Sequence, residues 1–444
     1  MIRSHGLILL SAMILAGGLP VSAQEAPAAK PVSAGAKTSM PVIKPSRQAG
    51  ATADTSAAEW NFLKAYGADK DEDVVIAVLP GLVEWLKIYP GSEYAAEALL
   101  LKANIHIRLG EYKFAVVDLL KYAQEYPGAE SEAAAKKLFA DTINKKMDKK
   151  VIPALNEAAN LSESADKAER LALLLEKVSA KAGVELYEPL MTEFRGFFSR
   201  FPSFAGRDAL QMALGDLHLK KEEYLRARLA YLELILVCPD SPLIVKAKRA
   251  LGDVLANNLK DYDGAIFVYQ DVSANYPGTD EAWAAYVQLA KLSERQKKYQ
   301  LAVETHEKII MLYPQKEAAY DSYNAEARIL REEMSKYSEA MTVLGRIADN
   351  YKGEKAIEAL LLSAKIAKKD LKNLAAEIGV YDRIAAEYAA DAQAPKALFA
   401  AAEAYENAKD YESAKKYYGM VSDKYPEDSL SNKSKNRINS IINK

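Results

Sequence analysis

The sequence predicts an all-α protein, a superhelical solenoid of about ten antiparallel helix hairpins. Two observations lead to this fold class. An aromatic residue followed by proline recurs along the chain at steps of about 37 residues, or at twice that step. Between these pairs the apolar residues recur at helical spacing, as in Ala115, Leu119, Tyr122 and Tyr126. A fixed period of this length indicates stacked units that share a continuous core.

The first 57 residues differ in composition from the rest. Arg3, the apolar residues of 7–19 and the small residues Val21 and Ala23 predict that residues 1–23 form a signal peptide, with an uncleaved anchor as the alternative. We therefore expect export to the periplasm, with secretion as the alternative, and no transmembrane span in the mature chain. Residues 24–57 are rich in Ala and Pro and poor in large apolar residues, so we expect a disordered linker.

Three features define the repeat array, which we place at residues 58–428. The first is an aromatic anchor that ends each unit, in most units followed by proline: Tyr89, Tyr126, Phe201, Tyr276, Tyr313 and Tyr425, with Cys238, Tyr351 and Tyr388 as variants. The second is a tyrosine followed three residues later by alanine: Tyr112/Ala115, Tyr224/Ala227, Tyr262/Ala265, Tyr299/Ala302, Tyr337/Ala340 and Tyr411/Ala414. The third is a small residue: Ala103, Ala140, Gly215, Gly252, Ala290, Ala327, Ala364 and Ala402. The small residue and the alanine would let the first helix (A) and second helix (B) of a hairpin approach closely, with the tyrosine at the turn.

The spacing from small residue to alanine to proline carries a family resemblance. Ala103, Ala115 and Pro127 follow one another at intervals of twelve residues. This pattern resembles tetratricopeptide repeats, whose period is 34 residues. The link Tyr276-Pro277-Gly278-Thr279 resembles exported bacterial members, the outer-membrane assembly lipoprotein and the Tol–Pal coordinator. Units with an extra residue, such as Gly252 to Ala265, are expected to hold it in the turn between helices A and B.

The resemblance implies a binding surface. In the family, the concave surface is lined by residues of helix A that flank the small position. The corresponding residues here are Asn104, Arg108, Arg249, Asp253, Asn257, Lys291, Arg295, Asn324, Arg328 and Arg331. We expect this polar face to bind an extended peptide or protein tail, with an affinity that falls as salt rises. The alternative is contact through the convex side or the tail.

Few residues suit catalysis or metal binding. A single cysteine excludes an intramolecular disulfide and a cysteine-rich metal site, and there are only four histidines. We expect His106 and His218 to be packing residues, His306 to be an exposed residue of helix B and Cys238 to be a buried thiol. Residues 429–444 form a basic C-terminal tail or a capping helix. No catalytic residue, metal site or cofactor is predicted.

The predicted function is a non-enzymatic protein–protein interaction scaffold, exported to the cell envelope and supporting outer-membrane or envelope assembly. Its expected partners are other proteins or peptide segments of the envelope. The net charge of −2 argues against a dedicated nucleic-acid binder. The alternatives are a periplasmic partner of polysaccharide export and an accessory to a cell-wall-cleaving enzyme.

Overall fold

The regular elements of the described chain are all helical. The computed structural model describes residues 53–161 and 166–442, and these residues contain no strand. The all-α fold class is therefore confirmed. The predicted signal peptide lies outside the described residues, as does most of the predicted linker. The first helix begins at Ala53, however, so the last residues of the segment 24–57 are helical rather than disordered.

In the described part of the chain, twenty α-helices form ten successive hairpins, and one further helix follows them. Their bounds are α1 Ala53–Gly67, α2 Glu72–Ile88, α3 Ala95–Arg108, α4 Tyr112–Glu125, α5 Glu132–Lys146, α6 Ile152–Ala159, α7 Lys167–Lys181, α8 Tyr187–Arg200, α9 Arg207–Lys220, α10 Tyr224–Val237, α11 Ile244–Asp253, α12 Tyr262–Asn275, α13 Asp280–Arg295, α14 Tyr299–Leu312, α15 Glu317–Arg328, α16 Tyr337–Asn350, α17 Glu354–Ile366, α18 Leu374–Glu387, α19 Gln393–Asn407, α20 Tyr411–Lys424 and α21 Ser429–Ile442. The helices fall into two compact units, one ending at Gly264 and one beginning at Ala265.

The turn inside seven of the ten described hairpins has the same geometry. The residue two positions before helix B has a positive φ angle, and in six of the seven helix B begins at the repeat tyrosine. Gly110 adopts this conformation before α4, and Glu222 adopts it before α10. The next N–H then bonds back to the end of helix A, as in Glu111 N to His106 O at 2.8 Å and Glu223 N to His218 O at 2.8 Å. This Schellman closure satisfies carbonyls that the helix end would otherwise leave unpaired.

The extra residue of the longer units lies in helix A, and the prediction that the turn holds it is wrong. The A helices of the two 38-residue units end in π-helical segments, at Val254–Leu259 and Ile329–Glu333. The A helix of the 37-residue unit between Tyr351 and Tyr388 also does, at Ala367–Leu371. The closing bond spans one residue more there, from Asp261 N to Leu255 O at 2.9 Å. A π turn absorbs one inserted residue. The left-handed closing residue, Lys260 in this case, is therefore kept.

Close packing inside a hairpin depends on the small residues. Ala115, Ala227 and Ala302 of the B helices are fully buried, as are most of the small residues of the A helices. Ala140 is the exception because it is exposed on α5, so its predicted role is wrong. In the C-terminal unit, α21 packs on α20 as a capping helix.

The third hairpin departs from the others. Its second helix, α6, has only eight residues, with Pro153 in the first turn. Helix α4 therefore packs directly against α7 of the following hairpin. The guanidinium of Arg170 donates to the carbonyl of Gln124 at 2.8 Å across this contact. The irregularity brings α2, α3, α4, α7 and α8 to the walls of one groove.

Candidate protein-binding site

The charged residues predicted for the binding face of the N-terminal unit have partners within the protein. The guanidinium of Arg108 donates to the carbonyls of Gly67 at 3.2 Å and Asp69 at 2.5 Å. Arg249 pairs with Asp253 one helical turn later, at 2.5 Å. These contacts hold both side chains in place, and Asp253 partly neutralises Arg249.

The same is true in the C-terminal unit. Arg328 pairs with Glu294, whose other carboxylate oxygen lies 3.0 Å from His306 Nε2. Arg331 Nε donates to Asp370 at 2.7 Å. The acids that balance these arginines lie 34 and 39 residues away in sequence, on neighbouring hairpins, which is why the sequence did not reveal the pairs.

The other predicted residues have exposed side chains: Asn104, Asn257, Lys291, Arg295 and Asn324. The amides of Asn104 and Asn324 donate to the carbonyls four residues earlier, at 2.9 and 3.1 Å. The part these residues take in binding stays a prediction.

A groove in the N-terminal unit was not predicted. It has a volume of about 750 Å³ and an apolar wall that includes Leu86, Leu99, Leu120, Leu171 and Leu190. Charged and polar residues line it as well: Lys87, Lys102, His106, Lys121, Glu125, Glu193, Arg195 and Arg200. The sequence could not reveal this groove because it depends on the contact between α4 and α7.

A buried ion network closes one side of the groove. Asp118 of α4 lies 2.6 Å from Lys102 Nζ and 2.7 Å from His106 Nδ1, both on α3. Burial raises the pKa of Asp118, but Lys102 and His106 outweigh it and hold the pKa below its usual range. His106 therefore packs in the core, as predicted, with an acid partner that the sequence reasoning missed. The sequence does place an aspartate, Asp118, among the apolar residues of helix B, and this indicates a buried acid that needs a cationic partner.

A second network crosses from α4 to α7 and α8. Glu125 lies 2.7 Å from Lys167 and 3.0 Å from Arg200, and Lys121 lies 2.7 Å from Glu193. Burial alone would raise the pKa of Glu125, but the surrounding cations keep it below its usual range. Carboxylates held ionised in this way are poor proton donors at neutral pH, so the arrangement suits recognition better than acid–base chemistry.

The remaining two histidines of the described helices and the cysteine lie outside the groove. His218 is buried and joined to Tyr187 by a 2.8 Å hydrogen bond, as expected for a packing residue. The prediction for His306 is wrong, because its ring is buried against Glu294. Cys238 is only partly buried, and that burial raises the pKa of its thiol.

The described residues offer neither a metal site nor a membrane-spanning helix. No group of three or more His, Cys, Asp or Glu side chains in residues 53–161 and 166–442 could hold a metal ion. None of the helices in those ranges is both long and apolar enough to cross a membrane.

Comparisons with known proteins support the repeat assignment at one hairpin. No curated protein matches the chain. Among solved structures it is similar to the P58(IPK) TPR domain (12% identity, 87% of this chain and 98% of that chain, TM-score 0.23), yeast Tom70 (14%, 87% and 88%, 0.23) and the APC/C hetero-tetramer Cut9-Hcn1 (12%, 87% and 88%, 0.24). The family model that matches is the tetratricopeptide repeat, at residues 396–428. The hairpin of α19 and α20 is thus similar in sequence to a tetratricopeptide repeat.

Proposed function

We propose that this protein is a non-enzymatic protein–protein interaction scaffold, exported to the cell envelope, where it supports outer-membrane or envelope assembly. The match to a tetratricopeptide repeat supports the scaffold role. The signal-peptide pattern of residues 1–23 supports export.

The groove of the N-terminal unit carries this proposal. Its apolar wall can bury the side chains of a bound polypeptide, which is how concave sites gain most of their binding free energy. Because the groove is not an enclosed cavity, a segment of a partner protein can enter it while this protein stays folded. We propose that the partner contributes such a segment.

The charge of the groove indicates what that segment contains. Five lining residues are cationic, namely Lys87, Lys102, Lys121, Arg195 and Arg200, and two are acidic, namely Glu125 and Glu193. Lys102, Lys121 and Arg200 are paired with Asp118, Glu193 and Glu125, so recognition of an acidic segment depends on Arg195. Arg195 is exposed, and among residues 53–161 and 166–442 its one hydrogen bond is the donation from Nε to the carbonyl of Met191 at 3.1 Å. An apolar segment that also carries acidic residues would complement this surface. The predicted helix-A face would add further polar contacts.

The test is capture of the partner by crosslinking and pull-down in the native host. The wild-type protein, Arg195→Glu and Lys246→Glu are compared. Lys246 is exposed on α11 and does not line the groove, so it is the matched control for charge. We expect an envelope protein to be captured by the wild type and the control, and to be lost with Arg195→Glu or as salt screens the contact.

Two results would count against the proposal. Equal capture by Arg195→Glu and the wild type would exclude the groove as the binding site. Cell fractionation tests export separately, and recovery of the protein only from the cytoplasm would exclude the envelope role.

A further inference from the structure

Helix α10 is apolar on two opposite faces. Ala227, Tyr231 and Leu234 are buried against the rest of the N-terminal unit. On the other side, Leu225 and Leu229 are each 63% exposed. A surface helix normally has polar residues opposite its buried face, and monomers rarely expose contiguous apolar patches. Packing within the N-terminal unit therefore does not explain why this exposed face is apolar.

The exposed leucines form one narrow row. Leu225, Leu229, Leu232 and Leu236 are spaced by four, three and four residues. At about 100° per residue they lie within about 60° of one another around the helix. Leu236 is 45% exposed and Leu232 is partly exposed. This spacing is that of the contact row in a two-stranded coiled coil, where each leucine inserts between residues of the facing helix.

Charged residues beside the row indicate the partner. Arg226 and Glu233 both flank it on the same side of the helix, and their side chains are 56% and 43% exposed. Each already has a partner in its own chain: Arg226 Nε lies 4.0 Å from Glu223, and Glu233 pairs with Arg207 at 2.7 Å and accepts from Gln211 at 2.8 Å. Exposed ion pairs contribute little free energy, so they can be exchanged for contacts with a second copy. When two identical helices pair in opposite directions, the same flank of each helix meets at the interface. Arg226 of one copy then lies beside Glu233 of the other, and the contact occurs twice. Arg228, on the other flank, is partly buried.

We propose that α10 is a self-association surface and that its occupant is α10 of a second copy of this chain, paired antiparallel about a two-fold axis. Leu225 packs against Leu236 of the second copy, and Leu229 packs against Leu232. The two Arg226–Glu233 contacts set the direction of the pair. A two-fold interface of this kind closes on itself, so the product is a dimer.

The interface is small. It consists of one 14-residue helix from each copy, which is less than the surface that a tight dimer usually buries. The expected behaviour is therefore a monomer–dimer equilibrium at micromolar concentration. Self-association through α10 does not depend on the groove or on export, so the proposed function can fail while this inference holds.

Sedimentation equilibrium of the purified protein over about 1–200 µM tests the proposal, in a range where weak contacts of this size associate. We expect Leu225→Lys/Leu229→Lys to abolish the dimer while circular dichroism shows the same helix content. Met311→Lys on α14 is the control, because Met311 is 59% exposed but belongs to no such row, and the dimer should persist.

Charge reversal tests the direction of pairing. Arg226→Glu and Glu233→Arg should each weaken the dimer, since each places like charges together. An equimolar mixture of the two variants should restore association, because both contacts in the mixed dimer are then favourable. A wild-type protein that stays monomeric at 200 µM, or a dimer that survives the double lysine variant, overturns the proposal. Failure of the mixture to associate overturns the antiparallel arrangement.

Discussion

Gly215 of α9 lies directly against the ring of Tyr231 of α10, so closely that a Cβ on residue 215 would come within 2.5 Å of the ring carbon Cε1. The ring is fully buried, and its hydroxyl donates to Asp216 at 2.7 Å. Because the ring cannot move without losing that bond, we expect Gly215→Ala to lower the free energy of unfolding by about 1–3 kcal/mol. Urea unfolding followed by circular dichroism measures the change.

Gly196 of α8 is the matched control. Nothing lies within 4 Å of a Cβ built there, so Gly196→Ala should stabilise the protein by up to about 1 kcal/mol through helix propensity. If both variants lose stability, contact with the ring of Tyr231 is not the reason that Gly215→Ala is destabilising.

The left-handed residue that closes the turn in seven of the described hairpins gives a second prediction. Lys297 and Lys409 adopt φ angles of 57° and 63°, a region that costs a residue with a side chain about 1 kcal/mol or more. Lys297→Gly and Lys409→Gly should each raise the free energy of unfolding by up to about 1 kcal/mol.

Gly110 provides the reverse experiment, because it occupies the same position with a φ angle of 75°. Gly110→Lys should destabilise the protein by a similar amount. If Gly110→Lys changes the free energy of unfolding in the same direction as Lys297→Gly and Lys409→Gly, the left-handed conformation of the turn is not the cause.

Asp118 gives a third prediction, on the ion network beside the groove. Asp118→Ala leaves Lys102 and His106 without their acid, and removing one partner of a buried ion pair costs about 3–5 kcal/mol. The double variant Asp118→Ala/Lys102→Met removes the unpaired cation and should recover part of that loss. A double variant no more stable than the single one would show that loss of packing dominates.

Glu326 on α15 gives a prediction about pH. It is 4% exposed, and its Oε2 has no hydrogen-bond partner among the described residues. Burial raises its pKa to about 7, with Glu307 adding to the effect and Arg346 opposing it. The native state therefore holds a proton that the unfolded state releases above pH 4.5. Stability falls as pH rises from about 4.5 to 7, by about 3 kcal/mol in total.

Glu326→Gln removes this dependence because the amide does not titrate. The variant should match the wild type near pH 4 and exceed its stability at pH 8. Urea unfolding at the two values measures the difference. Equal stability of variant and wild type at pH 8 would mean that Glu326 titrates normally in the folded state.

The repeat period made much of the fold predictable. The aromatic anchors and repeat tyrosines mark helix ends because local steric rules act at fixed spacing. What the sequence could not predict depends on contacts between hairpins. The groove requires α4 to reach α7, and the partners of Arg328 and Arg331 come from other hairpins. Helical spacing predicts that His306 is exposed because that spacing does not reveal that Glu294 lies opposite it.

The π turns bear on how such an array can change in length. Because Val254–Leu259 takes up one residue before the closing turn, an insertion or deletion there leaves the next helix in the same rotational phase. Deleting Asn258 would convert this A helix to the regular form with the turn at Lys260 intact. A unit can thus have 37 or 38 residues and keep the same hairpin geometry. The end of helix A is where this chain can gain or lose a residue without changing which side chains lie on the surface of its hairpins.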